Sequence, residues 1–215
     1  MVAITHIVGE RNKKPIDLNG SVALVGNSDT LIGSGRGAEI DGYDTVIRFN
    51  LADLAEKYTT DVGSKADYCF FSLNISTHKY PYSKHEHMRF ITLCRDAKII
   101  CYPGNTKNVK KFNKRPAVMT ATVDDVNAII FSKLSLLDLK FSLRNHPRNG
   151  IKLLACLLKE GVKPALFGFD LKDRSGNSHY FDDELQLELP QGGHLPSVEY
   201  RLLKELEREK LISIM

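Results

Sequence analysis

The residues that could do chemistry start with a polar, glycine-rich stretch at 26–37 (GNSDTLIGSGRG), which follows a short apolar run at 21–25 and leads into a predicted helix. A buried strand opening into Gly, Ser, Asp and Thr can bend tightly and aim unpaired backbone N–H groups at an anion, the usual way a strand-to-helix turn holds phosphate. The loop has neither the spacing of a dinucleotide fingerprint nor the Lys-Ser/Thr of a P-loop, so taken alone it reads equally well as a plain turn. Metal chemistry has little to work with. There is no Asp-x-Asp, and His85 and His87 stand two apart on a predicted helix, which sends them to different faces. The four cysteines, Cys69, Cys94, Cys101 and Cys156, show no C-x-x-C spacing and read as buried reduced thiols. No metal and no cofactor is expected.

A longer pattern surrounds the glycine loop. Residues 22–50 (VALVGNSDTLIGSGRGAEIDGYDTVIRFN), continued at 61–68 by DVGSKADY, closely resemble the large sialylmotif of glycosyltransferase family 29, the eukaryotic-type sialyltransferases. In that family the region holds the CMP half of the donor, so the resemblance implies Asn27, Ser28 and Asn50 as donor-binding residues. Three further motifs follow in the family's order. Residues 146–170 (HPRNGIKLLACLLKEGVKPALFGFD) resemble the small sialylmotif, a turn onto a helix that puts Asn149 and Gly150 on the donor side. His179-Tyr180-Phe181 resembles the third motif, and His194 with Glu199 resembles the very small one.

What the resemblance implies is an inverting transfer of sialic acid from CMP-sialic acid to a sugar hydroxyl of a glycan or glycolipid acceptor. A hydroxyl is a poor nucleophile at neutral pH unless a base takes its proton as the new bond forms, and an imidazole titrates near neutrality. By the family's pattern His194 is that base and His179 hydrogen-bonds the departing phosphate, where the N–H groups opening the helix near Gly150 can join it. Glu199 falls in a first helical turn, where a carboxylate favours the dipole whether or not it also orients His194. CMP leaves as a monophosphate, consistent with the expectation of no metal.

The chain departs from the family in two places. Pro147-Arg148-Asn149-Gly150 replaces a turn that usually carries two hydroxyl residues, which keeps a CMP-Kdo donor open beside CMP-sialic acid. Val22 stands where the family's Golgi members have the first cysteine of a disulfide joining the large and small motifs, so by resemblance that bond is not expected. This fits a short bacterial or viral member, working on lipooligosaccharide or a related glycan in reducing cytosol. A non-catalytic CMP- or glycan-binding descendant is the alternative from another class.

The elements that must position these residues follow from composition and periodicity. With 215 residues and 42% hydrophobic content the chain suits one α/β domain, residues 1–215, with 1–20 as an N-terminal extension. Strands are predicted at 21–25, 45–49, 67–71, 98–102 and 165–169, and helices at 84–95, 123–137, 150–159 and 196–210, with a short helix or turn at 52–58 and Asn149 as a helix cap. Their alternation predicts a single-domain Rossmann-like fold, a mostly parallel sheet with helices on both faces, as in the GT-A variant type of the sialyltransferases. The net charge of +4 is concentrated at Lys107, Lys110, Lys111, Lys114 and Arg115. Only Phe112 interleaves that patch, which argues against nucleic acid and leaves peripheral contact with anionic membrane as its expected use. No run approaches the ~20 apolar residues of a membrane span, and no leader pattern precedes the first strand, so a cytoplasmic location is expected.

Overall fold

The computed structural model describes residues 2–4, 16–18, 20–50, 52–72, 98–102, 148–159, 161–169 and 196–215. Strands β1 (Val2–Ile4) and β2 (Ile16–Leu18) pair antiparallel as a two-stranded sheet. The main sheet comprises β3 (Val22–Val25), β4 (Thr45–Phe49), β5 (Tyr68–Ser72), β6 (Lys98–Tyr102), β7 (Ala165–Phe167) and β8 (Ser213–Ile214). Its order is β6-β5-β4-β3-β7-β8, and every pairing within it is parallel.

Strand periodicity sorts the core into two layers, because successive side chains point to opposite faces. One face presents Val22, Leu24, Ile47, Phe49, Tyr68, Phe70 and Leu166 to helices α3 (Asn149–Lys159) and α4 (Pro196–Arg208), which bury Leu153, Leu154, Leu157, Leu202, Leu203 and Leu206 against them. The other presents Ala23, Val25, Val46, Ala165 and Phe167 to Ile40 of α1 (Gly37–Asp41) and Val62 of α2 (Glu56–Val62). Leu18 of β2 joins the first layer, so the N-terminal region contributes to the core. These are the two helical faces and the parallel sheet that the alternating pattern predicts.

Differences from expectation have local causes. Where a short helix or turn is predicted at 52–58, the helix forms at Glu56–Val62. The strand predicted to run through 169 stops at Phe167, because Gly168 turns to φ +64°. Helix α3 begins at Asn149 itself, so that residue opens the helix and Arg148 precedes it, where the prediction made Asn149 the cap. Helix α4 ends at Arg208, and Lys210, expected in the helix, takes a left-handed φ of 57°. Strands β1, β2 and β8 are too short to announce themselves by periodicity. The helices predicted at 84–95 and 123–137 lie outside the described residues.

Much of the polar pattern at 41–67 holds α1, α2 and β4 together. Arg48, on β4, is completely buried; its Nε donates to the Lys65 carbonyl at 2.8 Å and its Nη2 to the Val62 carbonyl at 2.8 Å. Those acceptors lie at and just beyond the C-terminal end of α2, where carbonyls lack helical partners and the dipole favours a cation. Across from it, the Asp41 carboxylate accepts from Ser64 N, Lys65 N and Ser64 Oγ, each at 2.9 Å. Burial pushes Asp41 up, but those hydrogen bonds and the Arg48 charge outweigh it and hold the carboxyl below its usual value. Lys65 Nζ in turn donates to the Asp44 carbonyl at 3.0 Å. Helices α1 and α2 can pack this tightly because Gly37 has no side chain; a Cβ there would collide with the Thr59 carbonyl oxygen.

Arg48→Met is expected to destabilise the protein by about 2–4 kcal/mol, since it strands two buried carbonyls at roughly 1–3 kcal/mol each while keeping the apolar stem. Equilibrium urea unfolding followed by circular dichroism measures this.

Candidate functional site

The strand order reverses between β3 and β7. Moving from β3 the chain steps through β4, β5 and β6 in one direction, and β7 and β8 lie on the other side. In open parallel sheets the crevice outside the carboxyl ends of the strands at such a switch point is where ligands bind. Here the two strand exits touch. Gly26 N donates to the Phe167 carbonyl at 2.8 Å, and a Cβ on Gly26 would run into the Gly168 carbonyl. A Cβ on Gly168 would meet the Leu31 side chain, and its φ of +64° already favours glycine.

Four of the predicted site residues converge at this crevice. Asn27 follows Gly26 and is about nine-tenths buried, with Nδ2 donating to the Phe49 carbonyl at 3.0 Å. Its Oδ1 is buried and has no hydrogen-bond partner among the described residues. A bare amide oxygen costs roughly 1–3 kcal/mol, so its persistence points to a missing donor. Asn50, at the end of β4, adopts a left-handed φ of 53°, with N bonded to the Phe70 carbonyl at 2.8 Å and its own carbonyl accepting from Cys69 Sγ at 3.3 Å. Asparagine is among the few side chains that tolerate this conformation, and such backbone is retained where something else requires it. That turn brings Asn50 Oδ1 to Asn149 Nδ2 at 3.0 Å, joining β4 to the start of α3 across 99 residues of sequence. Gly150 follows, and a Cβ there would come within 2.5 Å of Cε1 of Phe169, whose ring packs edge-on against Phe49 at 5.8 Å.

Ser28 sits beside Asn27, but its hydroxyl is engaged locally, accepting from Thr30 N at 3.3 Å and from Thr30 Oγ1 at 3.0 Å as the cap of a single 3₁₀ turn. The glycine loop also behaves differently from expectation. Toward its end an amide is already engaged, since Gly35 N donates to Asp61 Oδ1 at 2.8 Å. An internal carboxylate thus occupies the part of the loop around Gly35. Glu199, in the first turn of α4, is buried and accepts from Arg148 N at 2.7 Å, with Arg148 Nε 3.7 Å from its other oxygen. His179 and His194 lie outside the described residues, as does the basic patch at 107–115. Among the described residues no group of three or more His, Cys, Asp or Glu side chains could hold a metal, and no helix is long and apolar enough to cross a membrane.

Sequence reasoning missed the roles of Asp61, Phe169 and Arg148. Asp61 opens the DVGSK segment, so its presence was visible, but nothing in the spacing told that its partner was the glycine loop 26 residues away.

Sheet order and crevice together define a doubly wound α/β protein with an asparagine-lined crevice, the candidate site, at its switch point. More particularly, the chain belongs to glycosyltransferase family 29 (sialyltransferase), whose sequence model matches residues 17–211. A sialyltransferase-like protein of Oryza sativa is 51% identical over 53 residues, 25% of this chain and 13% of that protein. A beta-1,6-galactosyltransferase of Arabidopsis thaliana is 26% identical over an alignment covering 91% of this chain and 55% of that protein. The chain therefore spans about half or less of the length of these curated relatives. The crystal structure of a mammalian sialyltransferase shares the fold, with a TM-score of 0.62 at 19% identity, over 91% of this chain and 68% of that one.

Asp61 is held below its usual carboxyl value by the Gly33 and Gly35 N–H groups, and Asp44 by Ser21 N–H and hydroxyl. A depressed folded pKa contributes stability that is complete above the unfolded value and lost as pH falls through the folded one. Thermal melts should therefore show stability declining as pH drops below about 4. Asp61→Asn is expected to be less stable at pH 7 and to show a shallower acid limb.

Proposed function

We propose that this chain transfers sialic acid from CMP-sialic acid to a hydroxyl of an acceptor glycan, inverting the anomeric centre. The observation that carries the reading is the buried Asn27 Oδ1, without a hydrogen-bond partner among the described residues, at the switch point of a family 29 fold. A phosphate offers only acceptors to that oxygen, whereas a nucleoside offers donors, the ribose hydroxyls and the cytosine amino group. Asn27 is accordingly assigned to the nucleoside. The phosphate falls to the opening of α3, where helical N–H groups favour negative charge. Asn50 and Asn149 hold that opening against β4.

In this mechanism the bond between the anomeric carbon and the phosphate oxygen breaks as the acceptor oxygen forms its bond from the opposite face. The acceptor proton passes to the His194 imidazole, and His179 donates to the departing phosphate. CMP departs as a monophosphate, and no divalent metal is assigned to the step. Sialic acid as the cargo is supported by the family. A second reading concerns the sugar alone. The Arabidopsis relative that aligns along most of the chain is named for galactose transfer, and Pro147-Arg148-Asn149-Gly150 replaces the family's hydroxyl-bearing turn.

Incubation with CMP-sialic acid, CMP-Kdo and UDP-galactose in parallel, each against a glycan panel and with EDTA, decides the donor. We expect CMP release from CMP-sialic acid that persists in EDTA and falls by about 10²-fold or more in His194→Ala, the usual worth of a positioned base. Nucleotide release unchanged by that substitution would sink the assignment of the base, and selective turnover of UDP-galactose would replace the donor.

Calorimetry tests the binding half separately. Asn27→Ala is expected to weaken CMP about tenfold, the worth of roughly one buried hydrogen bond, with little change for inorganic phosphate.

A further inference from the structure

The turn before α3 carries an arginine that the rest of the site does not account for, and its partner is a buried acid on a distant helix. Glu199 exposes only 4% of its side chain, and its Oε1 accepts from the Arg148 N–H at 2.7 Å, a short charge-assisted bond. The Arg148 guanidinium, 39% exposed, lies with Nε 3.7 Å from Glu199 Oε2, near enough to pair by charge but too far for a hydrogen bond. The next residue, Asn149, is the one bonded to Asn50. One carboxylate thus fixes the backbone immediately ahead of the residue that closes the crevice.

We propose that Arg148 and Glu199 form a positioning pair: the Glu199 carboxylate holds the turn before α3 so that Asn149 stays on Asn50, and the Arg148 guanidinium cancels a buried negative charge that an anionic donor would otherwise meet. The second half rests on the donor reading above. A carboxylate one residue from a phosphate site is a liability, because like charges in a partly dehydrated crevice repel much more strongly than in water. The backbone N–H of Arg148 is a neutral donor to one oxygen of Glu199. A cation from the same turn is the direct remedy, and arginine keeps its charge whatever its surroundings. The pair also links two termini. Helix α4 begins two residues after His194 in sequence, so the segment that carries the proposed base enters α4 at a point tied to the donor turn.

Two readouts separate the halves. In ligand-free protein, the side-chain amide signals of Asn149 in a ¹⁵N–¹H spectrum report its bond to Asn50. Glu199→Gln, whose carbonyl still accepts from Arg148 N, should leave them in place, while Glu199→Ala should shift them. Unshifted signals in Glu199→Ala would overturn the positioning half. By calorimetry, Arg148→Met should weaken CMP about tenfold, a defect that shrinks as salt is raised, and adding Glu199→Gln should restore affinity to within about threefold. A purely structural arginine predicts no such rescue, and its absence would overturn the charge half. If the unmodified protein does not bind CMP, the donor reading and the charge half fall together, and the positioning half is still decided by the amide signals.

Discussion

Where β3 and β7 leave the sheet their backbones meet with no side chain between them, Gly26 N on the Phe167 carbonyl at 2.8 Å and a glycine on each strand exit. The contact decides where the following residues go. With the exits pinned, Asn27 is delivered into a buried position beneath Phe49, and Phe169 is delivered over Gly150. A methyl group at either glycine would have to push a strand exit or the Leu31 side chain aside, and the asparagine cluster would lose its common reference point. Close-packed interiors accommodate such intrusions poorly, because neighbouring atoms have little space into which to move.

The long motif that flags the family serves two purposes, and the structure separates them. Asn27 and Asn50 face the crevice, whereas Asp41, Arg48, Ser64 and Lys65 bond to one another's segments and tie α1, α2 and β4 into one block. Arg48 is the clearest instance, a charge with no exposure whose donors end on helix-terminal carbonyls. Asp61 belongs to the same class, since it occupies the glycine-loop amides that would otherwise be free to grip a ligand. A polar residue within a motif is therefore as readily a fastener for the backbone as a contact for substrate.

The fold was legible to a large extent. Strands at 45–49 and 98–102 fall where their apolar runs placed them, and α3 and α4 start within a residue of expectation, because buried runs and amphipathic spacing are properties of the chain itself. Short elements such as β8, with two residues, owe their form to the neighbour they pair with and left no periodic trace. At the site, the glycine loop invited an anion reading, and the Gly35 N–H is instead taken by Asp61, since a sequence shows which N–H groups exist but not which carboxylate folds back onto them. Likewise Glu199 read as a helix-start carboxylate with an option on His194, and its engagement with Arg148 depends on the packing of α4 beside α3.

The hydrogen bonds that knit the crevice join residues far apart along the chain, 22 positions for Asn27 to Phe49, 99 for Asn149 to Asn50 and 51 for Arg148 to Glu199. Each such closure must pay loop entropy before its contact returns anything, and parallel strands add crossovers of their own. The crevice consequently requires the assembled sheet and both helices, and an excised peptide spanning one motif lacks the partners that form it. Its integrity therefore reports on the whole architecture, and opening at the crevice can precede the collapse of the sheet.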